Sequence, residues 1–152
     1  LTSVVIPNTV EVIKDYAFGY NQDLVSVTLP TSIRSIGRQA FYQNAIESVD
    51  LSKLNSLTTI GEYAFAYNNI GGELVIPDSV TSMGYEAFGY NNIDHAIISK
   101  NLSNLFSNIT LRTCDLSKYS DKGEDTYVDS GKYHRYSRTH RLRCPRLGPH
   151  RR

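Results

Sequence analysis

The sequence has little of what catalytic, metal-binding or membrane-spanning proteins need. Its 152 residues include only two cysteines, Cys114 and Cys144, which cannot form a disulfide framework or a four-cysteine zinc site. No apolar run approaches the roughly 18 residues of a membrane-spanning helix, and no signal peptide is visible. Apolar residues make up 40% and charged residues 20% of the chain, which fits a soluble globular fold and excludes a wholly disordered one.

No catalytic constellation is apparent either. Before residue 134 the only histidine is His95, and no motif fixes a Ser-His-Asp set among the many serines and aspartates. Acidic residues are scattered singly rather than grouped as in a calcium loop, and Gly71-Gly72 is too short for a phosphate-binding loop. We therefore expect no enzyme activity, no cofactor, no metal site and no small-molecule substrate.

Charge divides the chain into two segments. Residues 1–110 contain five Lys/Arg and ten Asp/Glu, a formal charge of −5. Residues 121–152 contain nine Lys/Arg and four Asp/Glu, a charge of +5. The two segments therefore need separate interpretations.

The first segment is a tandem repeat. The dipeptide Ala-Phe recurs at intervals of 23, 24 and 23 residues, with an aliphatic residue or methionine five positions before each Phe and an asparagine three positions after it. The repeated phenylalanines are Phe18, Phe41, Phe65 and Phe88. A unit of this length cannot bury both its faces alone, so successive units are expected to stack as the coils of a solenoid.

Each unit opens with a strand pattern in which β-branched and polar residues alternate, as in LVSVTLP from Leu24. Proline at positions 7, 30 and 77 ends the strand, because it lacks the N–H that a ladder needs. The IGRQAF and IGEYAF stretches then space Ile, Ala and Phe as on one inward-facing helical turn. We predict that residues 1–110 form an α/β repeat of about 4.5 coils, with parallel strands and short α-helical or 3₁₀ segments, as a fragment of a longer array.

These residues resemble the BspA-like class of leucine-rich repeats. The resemblance covers about residues 1–110, and the stretches LPTSIRSIGRQAF and IPDSVTSMGYEAF carry it most specifically. It implies a curved parallel solenoid on secreted or cell-surface proteins of bacteria and some protists. It also implies adhesion to, or other binding of, host or extracellular-matrix proteins, without catalysis. The alternative function is a structural spacer whose repeats present another domain.

Two stacked sets of residues are assigned structural roles. The phenylalanines are expected to form the core. The asparagine amides are expected to hydrogen-bond backbone groups of adjacent coils. The alternative for the asparagines is that they are exposed turn residues. The asparagines are Asn21, Asn44, Asn68 and Asn91. Tyr20, Tyr67 and Tyr90 share one phase, with Gln43 in the same position, and this favours lateral packing over a sugar-binding platform.

The candidate partner-binding surface is the side of the strands that points away from the core. We define this strand face by the residues Ser26, Thr28, Ser48, Asp50, Glu73, Val75, His95 and Ile97. Asp50 and Glu73 fall in neighbouring coils, whose parallel strands lie ~4.8 Å apart, and are expected to form an acidic spot beside Val75 and Ile97. Such a spot suits a protein partner that offers Arg or Lys beside an aliphatic group. The opposite face and the corners are the alternative locations.

The second segment has a different composition. Residues 117–152 contain three residues of the Leu, Ile, Val and Phe set, too few to bury a core, so residues 111–152 are predicted to be a degraded last coil and a basic disordered tail. Tyr133, His134, Arg135 and Tyr136 interleave aromatic and cationic groups, as nucleic-acid-binding arms do. A frameshift product is the favoured explanation of this segment, a solvated linker the second, and a binding arm the third. Nucleic acid is therefore not expected as a partner.

Overall fold

The repeats wind into a solenoid of about four coils of short parallel strands. A computed structural model describes residues 1–97, 125–129, 132–136 and 141–143. The strands of the repeats are β1 (Ser3–Val5), β2 (Val12–Ile13), β3 (Ser26–Thr28), β4 (Ser35–Ile36), β5 (Thr59–Ile60), β6 (Gly71–Val75), β7 (Ser82–Met83) and β8 (Asn92–Ile97). The predicted parallel solenoid is thereby confirmed.

One parallel sheet runs through all four coils. Strands β2, β4, β5 and β7 lie in that order, one from each coil, and pair in register. The second residue of each strand is buried, and these residues are Ile13, Ile36, Ile60 and Met83. The aliphatic residue five positions before each Phe therefore forms one continuous wall of the core.

The sheet that carries the strand face is interrupted at the third coil, where the repeat predicted a strand. Strand β1 pairs with β3, and β6 pairs with β8, but between them the third coil contributes only a single parallel bridge from Ser48 to Ser26. Two local features lie beside this gap in the sheet. The side chain of Asp50 folds back onto Ser52, and Gly72 at the start of the next strand has a left-handed φ of 70°.

The predicted helical segments are wrong: none of the described residues lies in a helix. Around each Ala-Phe pair the backbone forms consecutive turns whose N–H groups alternate between two kinds of acceptor. The Phe41 N–H donates to the Ala64 carbonyl of the next coil over 2.7 Å, whereas its neighbours Ala40 and Tyr42 donate three residues back along their own coil. A helix would direct every one of these N–H groups along its own axis and would leave the coils without this ladder.

The turns require left-handed backbone at two positions in every coil. The residues with positive φ are Tyr16, Tyr20, Gln39, Gln43, Tyr63, Tyr67, Glu86 and Tyr90. None is glycine, so each costs on the order of 1 kcal/mol or more of backbone strain. The hydrogen bonds between coils offset this strain, and the sequence pattern alone carries no indication of it.

The glycine of each Ile-Gly pair allows two coils to approach closely. A Cβ placed on Gly61 would lie 2.5 Å from the backbone nitrogen of Arg38, and one on Gly37 would lie 2.5 Å from that of Asp15. Lys14 holds the same position in the first described coil, where no described coil lies before it. Glycine is therefore needed at this position because of the preceding coil and not because of its own φ.

The phenylalanines form a continuous stack through the core. Ring centroids of successive residues lie 5.0 to 5.2 Å apart and the ring planes are within 10° of parallel. Phe41, Phe65 and Phe88 are fully buried, whereas Phe18 is half-buried because its outer ring face has no described coil against it. The stack links the cores of all four coils into one.

Three further strands lie in the basic segment. Strand β9 (Asp125–Asp129) pairs antiparallel with β10 (Lys132–Tyr136), and β11 (Arg141–Arg143) pairs antiparallel with β8 of the last coil. The sequence between β9 and β10 is Ser-Gly, a dipeptide typical of two-residue hairpins. The prediction of a degraded last coil and a disordered tail over 111–152 stays a prediction, and most of that segment lies outside the described residues.

Truncation of one central ring tests the stack. Phe41→Ala is expected to lower the free energy of unfolding by ~3–5 kcal/mol, because it leaves a large cavity between two rings that cannot close without moving the coils. Urea denaturation gives the value, and Thr28→Ala, at an exposed strand position, is the matched control with a change below ~0.5 kcal/mol. Equal stability of both variants would contradict the register of the coils.

Candidate functional site

The strand face is largely exposed, as the alternation of its sequence predicts. The side chains of Ser26, Thr28, Ser48, Asp50 and Glu73 are exposed. Two aliphatic residues on this face, Val75 and Ile97, are half-buried. His95 lies in β8, where its backbone is described.

Strand pairing brings some of these residues together and not others. Glu73 pairs with His95, and Val75 pairs with Ile97, across β6 and β8. Ser48 reaches Ser26 through the single bridge. No described strand pair joins Asp50 to Glu73, so the acidic spot that these two were expected to form stays a prediction.

Asp50 is held as a carboxylate with a fixed orientation. Its Oδ1 accepts hydrogen bonds from the backbone N–H of Ser52 over 2.9 Å and from the Ser52 hydroxyl over 2.6 Å. These hydrogen bonds lower the pKa of Asp50, which therefore carries a full negative charge at neutral pH.

The four asparagines lie on the interior side of the turns and join adjacent coils. The Asn68 amide donates to the Phe41 carbonyl of the preceding coil over 2.8 Å and to the Phe65 carbonyl of its own coil over 3.0 Å. Its Oδ1 accepts the backbone N–H of Ile46 over 3.0 Å. Asn44 and Asn91 make the equivalent bonds with the coils before them, and Asn21 donates to the Phe18 carbonyl.

These bonds satisfy backbone groups that the turns leave without a partner. Asn44 and Asn68 are the only buried polar side chains among the described residues. A buried carbonyl or N–H without a hydrogen bond costs ~1–3 kcal/mol, and one asparagine removes this cost for groups on two coils at once. The described contacts of the asparagines are all with the chain's own backbone, which accounts for their burial without a ligand.

Six tyrosines form a continuous aromatic surface on the outside of the turns, and we call them the tyrosine surface. They are Tyr20, Tyr42, Tyr63, Tyr67, Tyr85 and Tyr90. Tyr67 and Tyr90 stack with ring centroids 4.2 Å apart, and Tyr42 meets three neighbours edge to face at 5.3 to 6.2 Å. The sequence phase placed Tyr20, Tyr67 and Tyr90 together. Tyr42, Tyr63 and Tyr85 also belong to this surface, and the predicted helical turns gave no indication of it.

Packing and charge raise the pKa of three of these phenols. Loss of solvent around the rings is the largest cause for Tyr42 and Tyr63, and the negative charges of Glu86 and Glu62 add to it at Tyr63. At Tyr67 the largest cause is the side-chain hydrogen bond with Tyr90. These three phenols therefore stay protonated and neutral throughout the physiological range.

Other kinds of site are not evident in the described part of the chain. Within it, no three His, Cys, Asp or Glu side chains come together as candidate metal ligands. No helix among the described residues is long and apolar enough to cross a bilayer.

Comparison with known families agrees with the repeat and with its geometry. A family model described as "BspA type leucine rich repeat region (6 copies)" matches residues 1–118. The chain belongs to the BspA-type leucine-rich repeat family. The match extends past residue 110, where the sequence pattern placed the end of the repeats. Neither the curated proteins nor the solved structures that were searched contain a match.

Membership of the BspA-type family sets a general function. Leucine-rich repeat solenoids are generally protein-binding modules, and the family is typically non-catalytic. BspA-like proteins are typically found at the cell surface. Two exposed surfaces of this solenoid, the strand face and the tyrosine surface, are available to a partner.

Two adjacent asparagines provide a matched test of the amide ladder. Asn68 is buried and Asn69 is exposed. Asn68→Ala is expected to destabilise the fold by ~2–4 kcal/mol, because it leaves the Phe41 carbonyl and the Ile46 N–H without this partner. Asn69→Ala should change stability by less than ~0.5 kcal/mol. If thermal or urea unfolding shows the same loss for both, the ladder does not stabilise the coils.

Proposed function

We propose that this chain is a non-catalytic adhesion module of a secreted or cell-surface protein, and that it binds host or extracellular-matrix proteins through the strand face. The observation that carries the proposal is the register of β6 and β8, which presents Glu73 beside His95 and Val75 beside Ile97. A row of polar residues thus lies beside a row of aliphatic residues, and each row crosses from one coil to the next. A large, rigid surface of this kind suits a protein more than a small molecule.

The charge of the strand face indicates the chemistry of the partner. Asp50 has an ionised carboxylate fixed by Ser52, and Glu73 is exposed one coil further on. Val75 and Ile97 offer half-buried aliphatic area beside the charges. A partner with Arg or Lys next to an aliphatic side chain matches both features, and its association rate should fall as salt increases.

A structural spacer is the alternative function. A uniform rod needs only identical coils, whereas here the third coil departs from the repeat exactly where the strand face would otherwise be continuous. The ordered side-chain contacts of Asp50 and the left-handed Gly72 make that departure a defined structure. This irregularity favours a specific binding surface over a spacer.

Charge reversal on the strand face tests the proposal. The double variant Asp50→Lys with Glu73→Lys is expected to abolish binding to those purified extracellular-matrix proteins that the wild-type chain binds, measured by surface plasmon resonance. Both positions are exposed, so the circular dichroism spectrum should not change. The control, Glu11→Lys with Asp23→Lys, changes the net charge equally at exposed positions outside the strand face.

The outcomes separate the two functions. Loss of binding in the strand-face variant alone supports the adhesion module. Equal binding by both variants would move the site to another surface. A wild-type chain that binds none of a broad panel of matrix proteins would favour the spacer.

A further inference from the structure

The tyrosine surface has properties that packing between coils does not explain. Its rings touch one another, yet they remain open to solvent: Tyr20, Tyr67, Tyr85 and Tyr90 are 40 to 59% exposed. The core is already complete beneath them, because the phenylalanine stack fills the interior. Four large, exposed aromatic side chains in one patch are typical of a recognition surface.

The backbone beneath the patch strengthens this interpretation. Tyr20, Tyr63, Tyr67 and Tyr90 occupy left-handed positions, where glycine or asparagine would cause less strain. In the second coil the equivalent positions hold Gln39 and Gln43, so the turn itself does not need an aromatic residue. The backbone conformation of the turn therefore does not explain why these positions hold tyrosine. Contacts between the rings explain it only in part, because a large share of each exposed ring faces solvent.

One carboxylate lies near two of these rings. Glu86 is half-buried and close enough to Tyr63 and Tyr67 to act electrostatically on both phenols. Among the described residues it has no ion pair, unlike Glu62, whose Oε2 lies 3.7 Å from Nε of Arg38. A half-buried negative charge near aromatic rings attracts a cation through the carboxylate, and the ring quadrupoles add to this attraction.

The whole solenoid has the same sign of charge. Residues 1–97 contain four Lys/Arg and ten Asp/Glu, a formal charge of −6. An anionic ligand would be repelled at long range, whereas a cationic one would be steered toward the surface.

We propose that the tyrosine surface binds an arginine-bearing segment of a protein partner, with guanidinium groups stacked on Tyr67 and Tyr90 and paired with Glu86. Arginine fits better than lysine, because its planar group stacks on a ring while it donates two parallel hydrogen bonds to a carboxylate. The inference deepens the proposed protein-binding function and rests on it, but it assigns a second surface with its own chemistry.

The experiment uses the full chain and two synthetic peptides. One peptide carries four arginines separated by Gly-Ser pairs, and the other has citrulline, the neutral isostere, at the same four positions. Isothermal titration calorimetry should show binding of the arginine peptide alone, with affinity that falls steeply as salt is raised. The wild-type chain is also titrated with neutral oligosaccharides, since sugars are the other ligands that stack on tyrosine rings.

Three variants locate the site. Glu86→Gln removes the charge and keeps the shape, and Tyr67→Gln introduces the side chain that the second coil already carries in the same left-handed position, so both should fold. Each is expected to weaken binding of the arginine peptide about five- to tenfold. Glu47→Gln removes an exposed carboxylate outside the tyrosine surface and should leave the affinity unchanged.

Several outcomes would overturn the inference. Equal binding of the citrulline peptide would exclude recognition of the cation, and equal weakening by Glu47→Gln would show only a general charge effect. Oligosaccharide binding that Tyr67→Gln weakens and Glu86→Gln leaves unchanged would assign the surface to sugars. If matrix proteins bind through the strand face but the arginine peptide does not bind, this inference fails and the proposed function stands.

Discussion

The solenoid depends on a ladder of hydrogen bonds that runs from coil to coil through the turns around each Ala-Phe pair. In this ladder the N–H groups of Phe18, Phe41 and Phe65 each donate to the alanine carbonyl of the next coil over 2.7 Å. The Asn68 and Asn91 amides each join the Phe carbonyls of two neighbouring coils. The strand face cannot supply this continuity, because it is broken at the third coil. The two-residue strands β2, β4, β5 and β7 supply a second continuous ladder but a short one. The turn ladder therefore fixes the spacing and register on which the strand face and the tyrosine surface both depend.

The same ladder explains why aromatic rings cover the outside of the turns. Alternate N–H groups point to the next coil only if the chain enters left-handed backbone at two positions per coil. Tyr20, Tyr63, Tyr67 and Tyr90 stand at such positions. Tyr42, which does not, contacts the first three of them, and Tyr67 stacks on Tyr90. The turns thus set the positions of four of the six tyrosines, and the proposed arginine-binding surface would account for tyrosine rather than glutamine at them.

The sequence predicted the solenoid because its strongest features are long-range and periodic. Ala-Phe, the preceding Ile and the following Asn recur in every coil, and the structure stacks each set. It did not predict the conformation of the turns, because Ile, Ala and Phe at these spacings suit an inward-facing helix equally well. Two interactions between coils decide the turn conformation: the hydrogen bonds to the next coil, and the close approach of Gly61 to the backbone of Arg38. Neither can be read from the sequence of a single unit.

The two candidate sites were also predicted only in part from the sequence. The five polar positions Ser26, Thr28, Ser48, Asp50 and Glu73 are exposed, as the alternation predicts, whereas Val75 and Ile97 are half-buried. The alternation did not show that the third coil contributes a single bridge in place of a strand, because the sequence of that coil keeps the same alternation. The tyrosine surface was only half visible: Tyr67 and Tyr90 share a repeat position, whereas Tyr42 and Tyr63 occupy different positions and meet only through the turn geometry.

Native-state amide hydrogen exchange tests the central role of the turn ladder most directly. The account predicts that the N–H groups of Phe41 and Phe65 are among the slowest to exchange and open only with global unfolding, because each is buried and bonded to the next coil. It also predicts that they are at least as protected as the paired N–H groups of β3 and β6. Fast exchange of Phe41 and Phe65 by local opening, while β3 and β6 stay protected, would contradict the account and make the strands the element on which the solenoid depends.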